Sequence, residues 1–116
     1  MRRIKKFENF RSEDYYQEIT ENEYDSLANQ MVSFEEKYLN ILKDLIIVEY
    51  SVLEDSLNKN IKRLRIDSNG LWATIRQCED EWFIVFYSIS KDQFQQYKCD
   101  QFEGLIRFLK DKDLIR

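Results

Sequence analysis

The sequence contains no histidine and no proline, and only two glycines and two cysteines among its 116 residues. Without histidine it has no His-based catalytic triad, no His-ligated metal or haem, and no side chain that ordinarily titrates near neutral pH. Two glycines are too few for a glycine-rich phosphate loop or a dinucleotide-binding fingerprint. No apolar run approaches the roughly 18 residues that a membrane-spanning helix needs, and the basic start lacks the apolar segment of a signal peptide. These absences predict a cytoplasmic protein without a cofactor or a bound metal.

The residues that are present are those of a folded protein. Apolar residues make up 43% of the chain and aromatic residues 15%, which is enough for a hydrophobic core. A chain of this length buries roughly two-thirds of the surface that its unfolded form exposes, so it folds without metal or disulfide support. We therefore predict one domain over residues 1–116, with a basic N-terminal arm, residues 1–12, that need not pack on it.

The net charge of −4 is unevenly distributed along the chain. Residues 1–12 and residues 59–76 each carry a net charge of +4, whereas residues 13–36 carry eight acidic side chains and no basic one. The acidic stretch is either a docking surface for a basic partner or a solvated face balanced by the chain's own basic segments. The residues that would dock such a partner are Glu13, Asp14, Glu18 and Glu21. The acidic balance disfavours a dedicated nucleic-acid binder.

Two capping signatures predict helices in the N-terminal half. The segment 20–23 (Thr-Glu-Asn-Glu) has the capping-box pattern and predicts a helix from about residue 21 to 31. The segment 33–36 (Ser-Phe-Glu-Glu) repeats that pattern, and apolar residues follow from Phe34 at helical spacing. We predict that this second helix ends near residue 48. Because periodicity does not separate short apolar runs, residues 46–58 remain open between helix and strand.

The pattern changes to a period of two from Lys62 onwards. The turn at Asn69 and Gly70 predicts a tight hairpin between two strands, and residues 82–89 are apolar on both faces, which is typical of a central, covered strand. A further strand is predicted over residues 93–99, and residues 100–103 then open a last helix with an acidic cap. The sequence thus predicts an α+β fold in which helices pack on a three- or four-stranded antiparallel meander spanning residues 62–99.

Two parts of the chain resemble known sequences. Residues 4–10 (Ile-Lys-Lys-Phe-Glu-Asn-Phe) resemble the start of many small uncharacterised phage proteins from AT-rich genomes. Residues 80–83 and 97–105 are similar to the ends of such proteins. Residue types with AT-rich codons number 46 in this chain and those with GC-rich codons 12, which agrees with a phage source, although an organelle or an AT-rich bacterium has the same bias. The resemblance implies no activity.

The two cysteines, Cys78 and Cys99, do not form a Cys-x-x-Cys pair, and without histidine they cannot complete an ordinary zinc site. The favoured interpretation is that both are half-buried thiols in a reducing cytoplasm, with a disulfide as the alternative. Cys99 precedes the predicted last helix, whose N-terminus would stabilise a thiolate, but Asp100 opposes this and no histidine is present to act as a base.

Carboxylate chemistry is the remaining route to an enzyme. Paired carboxylates hydrolyse glycosides without histidine, but no pair stands out from the solvated acids of this chain. Residues 79–81 (Glu-Asp-Glu) have the ligand type that Mg²⁺ prefers, but an acidic surface turn is the simpler explanation. We therefore predict a protein that is not an enzyme.

Aromatic residues are concentrated in the C-terminal half. We assign Phe83, Phe86 and Phe102 to the core. A strand that is apolar on both faces needs cover on both, and a small domain has few helices to provide it. Trp72, with Arg76 beside it on the face opposite Leu71, is therefore the candidate centre of an uncovered interaction patch.

These features together predict a small protein-interaction module. Its partner would be another protein, or a second copy of the chain, and the class would be a phage accessory protein, a host-directed inhibitor acting in the host cytoplasm, or an assembly subunit. The first alternative is a small-molecule or nucleotide binder with an aromatic pocket between sheet and helices. The second is a sheet-based single-stranded nucleic-acid binder.

Overall fold

A computed structural model describes residues 15–27, 30–54 and 61–116. Within these residues the chain forms strands and helices in an α+β arrangement, as the sequence predicts. The elements in chain order are β1 (Gln17–Ile19), α1 (Glu21–Ser26), α2 (Glu36–Leu45), β2 (Glu49–Glu54), β3 (Lys62–Ser68), β4 (Leu71–Cys78), β5 (Glu81–Ser88), β6 (Gln93–Cys99) and α3 (Phe102–Asp111). The predicted arm, residues 1–12, lies outside the described residues.

The strands form one antiparallel sheet in the order β1-β6-β5-β4-β3-β2. The four strands from β3 to β6 are the meander that the alternating pattern predicts over residues 62–99. Gly70 has a φ of +79° in the β3–β4 turn, a conformation that glycine adopts without steric cost. The expected hairpin at Asn69 and Gly70 is thus confirmed, and β5 lies inside the sheet.

The predicted number of strands was wrong, because the described residues form a sheet of six strands and not three or four. Helix α2 ends at Leu45 and not near residue 48, because the residues that follow it pair with the C-terminal tail. Ile46 forms a bridge with Ile115, and the Ile47 N–H donates to the Leu114 carbonyl at 3.1 Å. The chain then enters edge strand β2. The short strand β1 forms the other edge of the sheet and pairs with β6. The β1–β6 pairing joins segments about 80 residues apart, so no local pattern indicates it, whereas β2 pairs with β3, the next strand in the chain.

The two N-terminal capping signatures have different outcomes. Thr20 forms the predicted capping box, but α1 ends at Ser26 and not at residue 31. The second signature is wrong: Ser33 Oγ accepts the backbone N–H of Lys62 at 3.1 Å, and α2 begins at Glu36. The acidic cap predicted for the last helix is also absent, because Gln101 is the N-cap residue and makes no side-chain cap bond.

The main core lies between one face of the sheet and the helices α2 and α3. Phe86 and the fully buried Phe108 are part of it, and Phe102 packs against its border as a half-buried ring. Gly104 allows α3 to approach the backbone carbonyl of Tyr15, where a Cβ atom would clash. None of the helices in the described part of the chain is long and apolar enough to cross a membrane.

A second, smaller cluster covers one end of the opposite face. Helix α1 and the residues after it pack Tyr24, Leu27 and Met31 against Phe83 and Cys78. Phe83 is fully buried there, so its assignment to a core is confirmed. The other end of this face, towards the β3–β4 and β5–β6 turns, has no such cover from the described residues. Strand β5 is therefore buried on one face and only half covered on the other.

Candidate interaction surface: the open face of the sheet

The uncovered end of the second face, called here the open face, is crossed by a row of aromatic rings. Phe94, Tyr87 and Trp72 are direct cross-strand partners on β6, β5 and β4. We call these three residues the aromatic ladder. Neighbouring strands lie about 4.8 Å apart, so the ladder spans roughly 10 Å across the sheet. The next row carries Val85, Thr74 and Arg65.

The rings of the ladder pack against one another. The Trp72 and Tyr87 rings are stacked with centroids 5.8 Å apart and an interplanar angle of 26°, and Tyr87 and Phe94 are 4.7 Å apart. The guanidinium of Arg65 lies 4.5 Å from the centroid of the Trp72 ring. Trp72 is thus held between Tyr87 from one neighbouring strand and Arg65 from the other. Both faces of the Trp72 ring are therefore in contact with neighbouring side chains, whereas the Phe94 ring is largely exposed.

Two hydrogen-bonded contacts hold this arrangement in place. Arg65 binds Asp67 with both its Nε and an Nη atom, at 3.1–3.3 Å. The Tyr87 hydroxyl donates to Asp92 Oδ1 at 2.8 Å, and this hydrogen bond is the main cause of the raised pKa of Tyr87. The central ring, Tyr87, and the arginine that packs on Trp72 are therefore fixed before any partner binds.

The open face ends in two exposed apolar side chains. Phe94 is 56% exposed, and Ile89, in the turn that follows β5, is 62% exposed. Trp72 and Tyr87 are half-buried. Apolar groups with this degree of exposure in one patch are typical of a binding surface.

The structure places Trp72 on the face that the alternating pattern predicts, opposite Leu71. Its arginine neighbour is different from the predicted one, because Arg65 contacts the indole and Arg76 does not. Residues four apart on one strand are separated by about 13 Å, whereas diagonal neighbours on adjacent strands, such as Arg65 and Trp72, are about 7–8 Å apart and within reach of long side chains. Arg76 lies instead near Tyr24, at the border of the covered end.

Sequence reasoning did not single out Arg65, Tyr87 and Phe94 as parts of the patch. The position of Arg65 beside Trp72 is indicated by the tight turn at Asn69 and Gly70, because this turn sets the register of β3 against β4. The other two partners depend on the β5–β6 turn, which has no comparable signature.

The acidic candidate residues do not form one described surface. Glu18 in β1 and Glu21 in the first turn of α1 are exposed, while Glu13 and Asp14 lie outside the described residues. Two other acids of the stretch have basic neighbours from this chain: Glu36 with Lys62 at 3.3 Å and Glu35 with Lys37 at 3.9 Å. Docking of a basic partner and internal balance of charge both stay predictions.

The two cysteines lie on opposite faces of the sheet. Cys99 pairs with Trp82 on the main-core face, whereas Cys78 belongs to the smaller cluster, and both are free buried thiols. Burial raises the pKa of Cys99 to about 12, and Asp100 adds to the rise. Burial also raises the pKa of Cys78, with smaller contributions from Glu79 and Glu81. Neither thiol is therefore ionised at neutral pH.

The buried Cys99 thiol predicts a loss of stability in alkali. The unfolded thiol ionises near pH 8.5, so the unfolded state releases its proton first. This ionisation lowers the free energy of the unfolded state, and so stabilises it, as the pH rises. Below that pH both states are protonated and the effect vanishes. Between pH 9 and 10, urea unfolding under reducing conditions should show a loss about 1 kcal/mol larger in the wild type than in Cys99→Ala. Parallel pH dependences of the two proteins would contradict the high pKa.

No metal site is evident in the described ranges, where no three His, Cys, Asp or Glu side chains are grouped closely enough to hold an ion. In the acidic turn, Glu79 and Asp80 are exposed, and Glu81 lies 3.9 Å from Lys98. A cavity of about 390 Å³ next to Asp67 is lined by Val48, Glu49 and the β3–β4 turn, and no aromatic ring contributes to it.

Comparison of this chain with known protein families, with curated proteins and with solved structures gave no match. The open face must therefore be interpreted from its own residues.

Proposed function

We propose that this protein is a small, non-enzymatic protein-binding module and that its open face is the binding surface. The observation that supports this most directly is the aromatic ladder, half-exposed and held in place by Arg65 and Asp92. Trp, Tyr and Arg are the residues most enriched among those that dominate binding energy at protein interfaces. A prearranged cluster also loses little side-chain entropy when a partner docks.

Other surfaces of the sheet are less suited to a partner. Strand β2 is an exposed edge, but it begins with Glu49 and ends with Glu54, and charged residues at an edge disfavour the addition of another strand. Strand β1 has only three residues. The ladder, in contrast, combines apolar area with arginine and lies on a rigid sheet.

Two observations favour this proposal over its alternatives, which are single-stranded nucleic-acid binding and small-molecule binding. Sheet-based single-strand binders stack bases on exposed ring faces, whereas the faces of Trp72 are in contact with Tyr87 and Arg65. A small-molecule site needs a concave, largely apolar pocket. The cavities of about 390–410 Å³ are lined mainly by polar and charged residues, and the aromatic residues that line two of them, Tyr15 and Tyr50, do not belong to the ladder. A phage accessory or inhibitory role is compatible with such a module and stays a prediction.

The test is affinity capture from lysate of the host or encoding cell, with sedimentation velocity to detect self-association. Wild type, Trp72→Ala and Phe94→Ala serve as baits, and Tyr50→Ala is the control, because Tyr50 is a 40% exposed aromatic residue on the opposite face. We expect Trp72→Ala to weaken binding about 30-fold, equivalent to the 2 kcal/mol of an interface hot spot, and Tyr50→Ala to bind normally. Equal binding by all four proteins would contradict the proposal.

A further inference from the structure

Two arginines on the open face, Arg63 and Arg76, lie next to each other on adjacent strands. Leu64 and Ile75 are cross-strand partners in β3 and β4, and the two arginines are the next residues beyond that pair, both on the open face. Just past them the two strands separate, because residues 32–34 enter between the strand ends through hydrogen bonds of 2.8 and 3.1 Å. The arginines therefore flank the point where the sheet opens, and both are half-buried.

These two arginines lack a carboxylate partner among the described residues, unlike their neighbour Arg65. Arg65 forms its ion pair with Asp67 at 3.1 Å. Like charges on adjacent strands are destabilising, so the arrangement is unfavourable unless an anion lies between them. Arginine binds carboxylate and phosphate groups with two parallel hydrogen bonds, and two adjacent guanidinium groups make that geometry available twice.

Helix α1 places a third group beside this pair. Burial raises the pKa of Tyr24, and the positive charges of Arg76 and Arg63 oppose that rise, so both guanidinium groups lie within electrostatic range of its hydroxyl. The Tyr24 ring is fixed edge-on against Phe83 with centroids 6.4 Å apart. Asp25 follows it on α1 but is exposed and pairs with neither arginine. Phe83 is the direct cross-strand partner of Arg76, so Tyr24 lies beside this arginine, and the acid that acts on its hydroxyl is the exposed Asp25.

We propose that Arg63, Arg76 and the Tyr24 hydroxyl form an anion-binding site, and that the site receives an acidic side chain of the protein that docks on the open face. This inference rests on the proposed function. Trp72 and Arg76 are about 13 Å apart along β4, so one partner segment of standard interface size covers both the ladder and the anion site. A protein carboxylate is favoured over a nucleic-acid phosphate because both faces of the Trp72 ring are occupied and the net charge of −4 disfavours a long polyanion.

The site is tested with sulfate as a probe on the full chain. We expect sulfate, titrated at constant ionic strength, to shift the side-chain Nε–H NMR signals of Arg63 and Arg76 saturably and to leave that of Arg107 in α3 unchanged. Arg76→Lys, which keeps the charge and loses the paired donors, should weaken sulfate binding several-fold. Arg107→Lys is the matched control and should bind as the wild type does. No saturable shift at either arginine would overturn the site.

The class of partner is tested with two polyanions of equal length, a decaglutamate peptide and a ten-residue oligothymidylate. The inference requires decaglutamate to compete with sulfate and to bind at least as tightly as the oligonucleotide. Tighter oligonucleotide binding would overturn the assignment to a protein partner. Sulfate binding without ladder-dependent capture would leave the anion site and remove the proposed function. Ladder-dependent capture without sulfate binding would overturn the anion site and leave the proposed function in place.

Discussion

Replacing Trp82 by alanine should lower the free energy of unfolding by about 3–5 kcal/mol, the usual cost of truncating a buried aromatic residue. Trp82 is only 2% exposed, and its ring packs against Tyr38 at 4.9 Å and Phe102 at 5.4 Å between centroids. The indole N–H has no hydrogen-bond partner among the described residues, so removing it recovers a small part of this cost. Urea unfolding followed by circular dichroism measures the difference.

The second tryptophan provides the matched comparison. Trp72 is half-buried and packs beside Tyr87 and Arg65, so Trp72→Ala should lower the free energy of unfolding by about 2 kcal/mol, from the lost burial of part of the ring together with its aromatic contacts. The fluorescence of the Trp72→Ala protein, which then comes from Trp82 alone, should resist quenching by iodide. A loss near 4 kcal/mol for Trp72→Ala would place it in a core and remove the basis of the proposed binding surface.

Replacing Gln77 by methionine should cost about 2–4 kcal/mol, although methionine has a similar volume. Gln77 is 1% exposed. Its Oε1 accepts the Glu35 N–H at 2.9 Å, and its Nε2 donates to Glu35 Oε2 at 2.7 Å and to the Glu79 carbonyl at 2.8 Å. Methionine would remove all three hydrogen bonds, and each contributes about 0.5–1.5 kcal/mol net to stability.

The control for this substitution is Gln96→Met. Gln96 is a half-buried glutamine on the open face, and its replacement should change stability by less than about 0.5 kcal/mol. Amide hydrogen exchange should also be faster at the start of α2 in Gln77→Met, because Gln77 replaces the missing cap of that helix. Equal stability of the two variants would show that the Gln77 hydrogen bonds contribute nothing.

How far the sequence predicts the open face can be judged from Trp72. Alternation around Leu71, Ala73 and Ile75 places Trp72 on the opposite face, because side chains point to alternate sides of a strand. This placement needs no knowledge of the remaining chain, and the structure agrees with it. The identity of the arginine beside Trp72 depends on which strand is adjacent and in what register, so the pattern within one strand indicated Arg76 where the sheet brings Arg65.

By itself the sequence determined the features that depend on residues close together in the chain. The capping box at Thr20, the turn at Gly70, the meander over residues 62–99 and the start of α3 each result from spacing within a few residues of each other. Tertiary structure alone decided the others. Ser33 bonds to Lys62 rather than capping a helix, α2 ends where the C-terminal tail pairs with it, and β1 pairs with β6 at one edge of the sheet. These contacts join residues 29 to about 80 positions apart, and their free energy overrides local preferences that are worth only about 1 kcal/mol each.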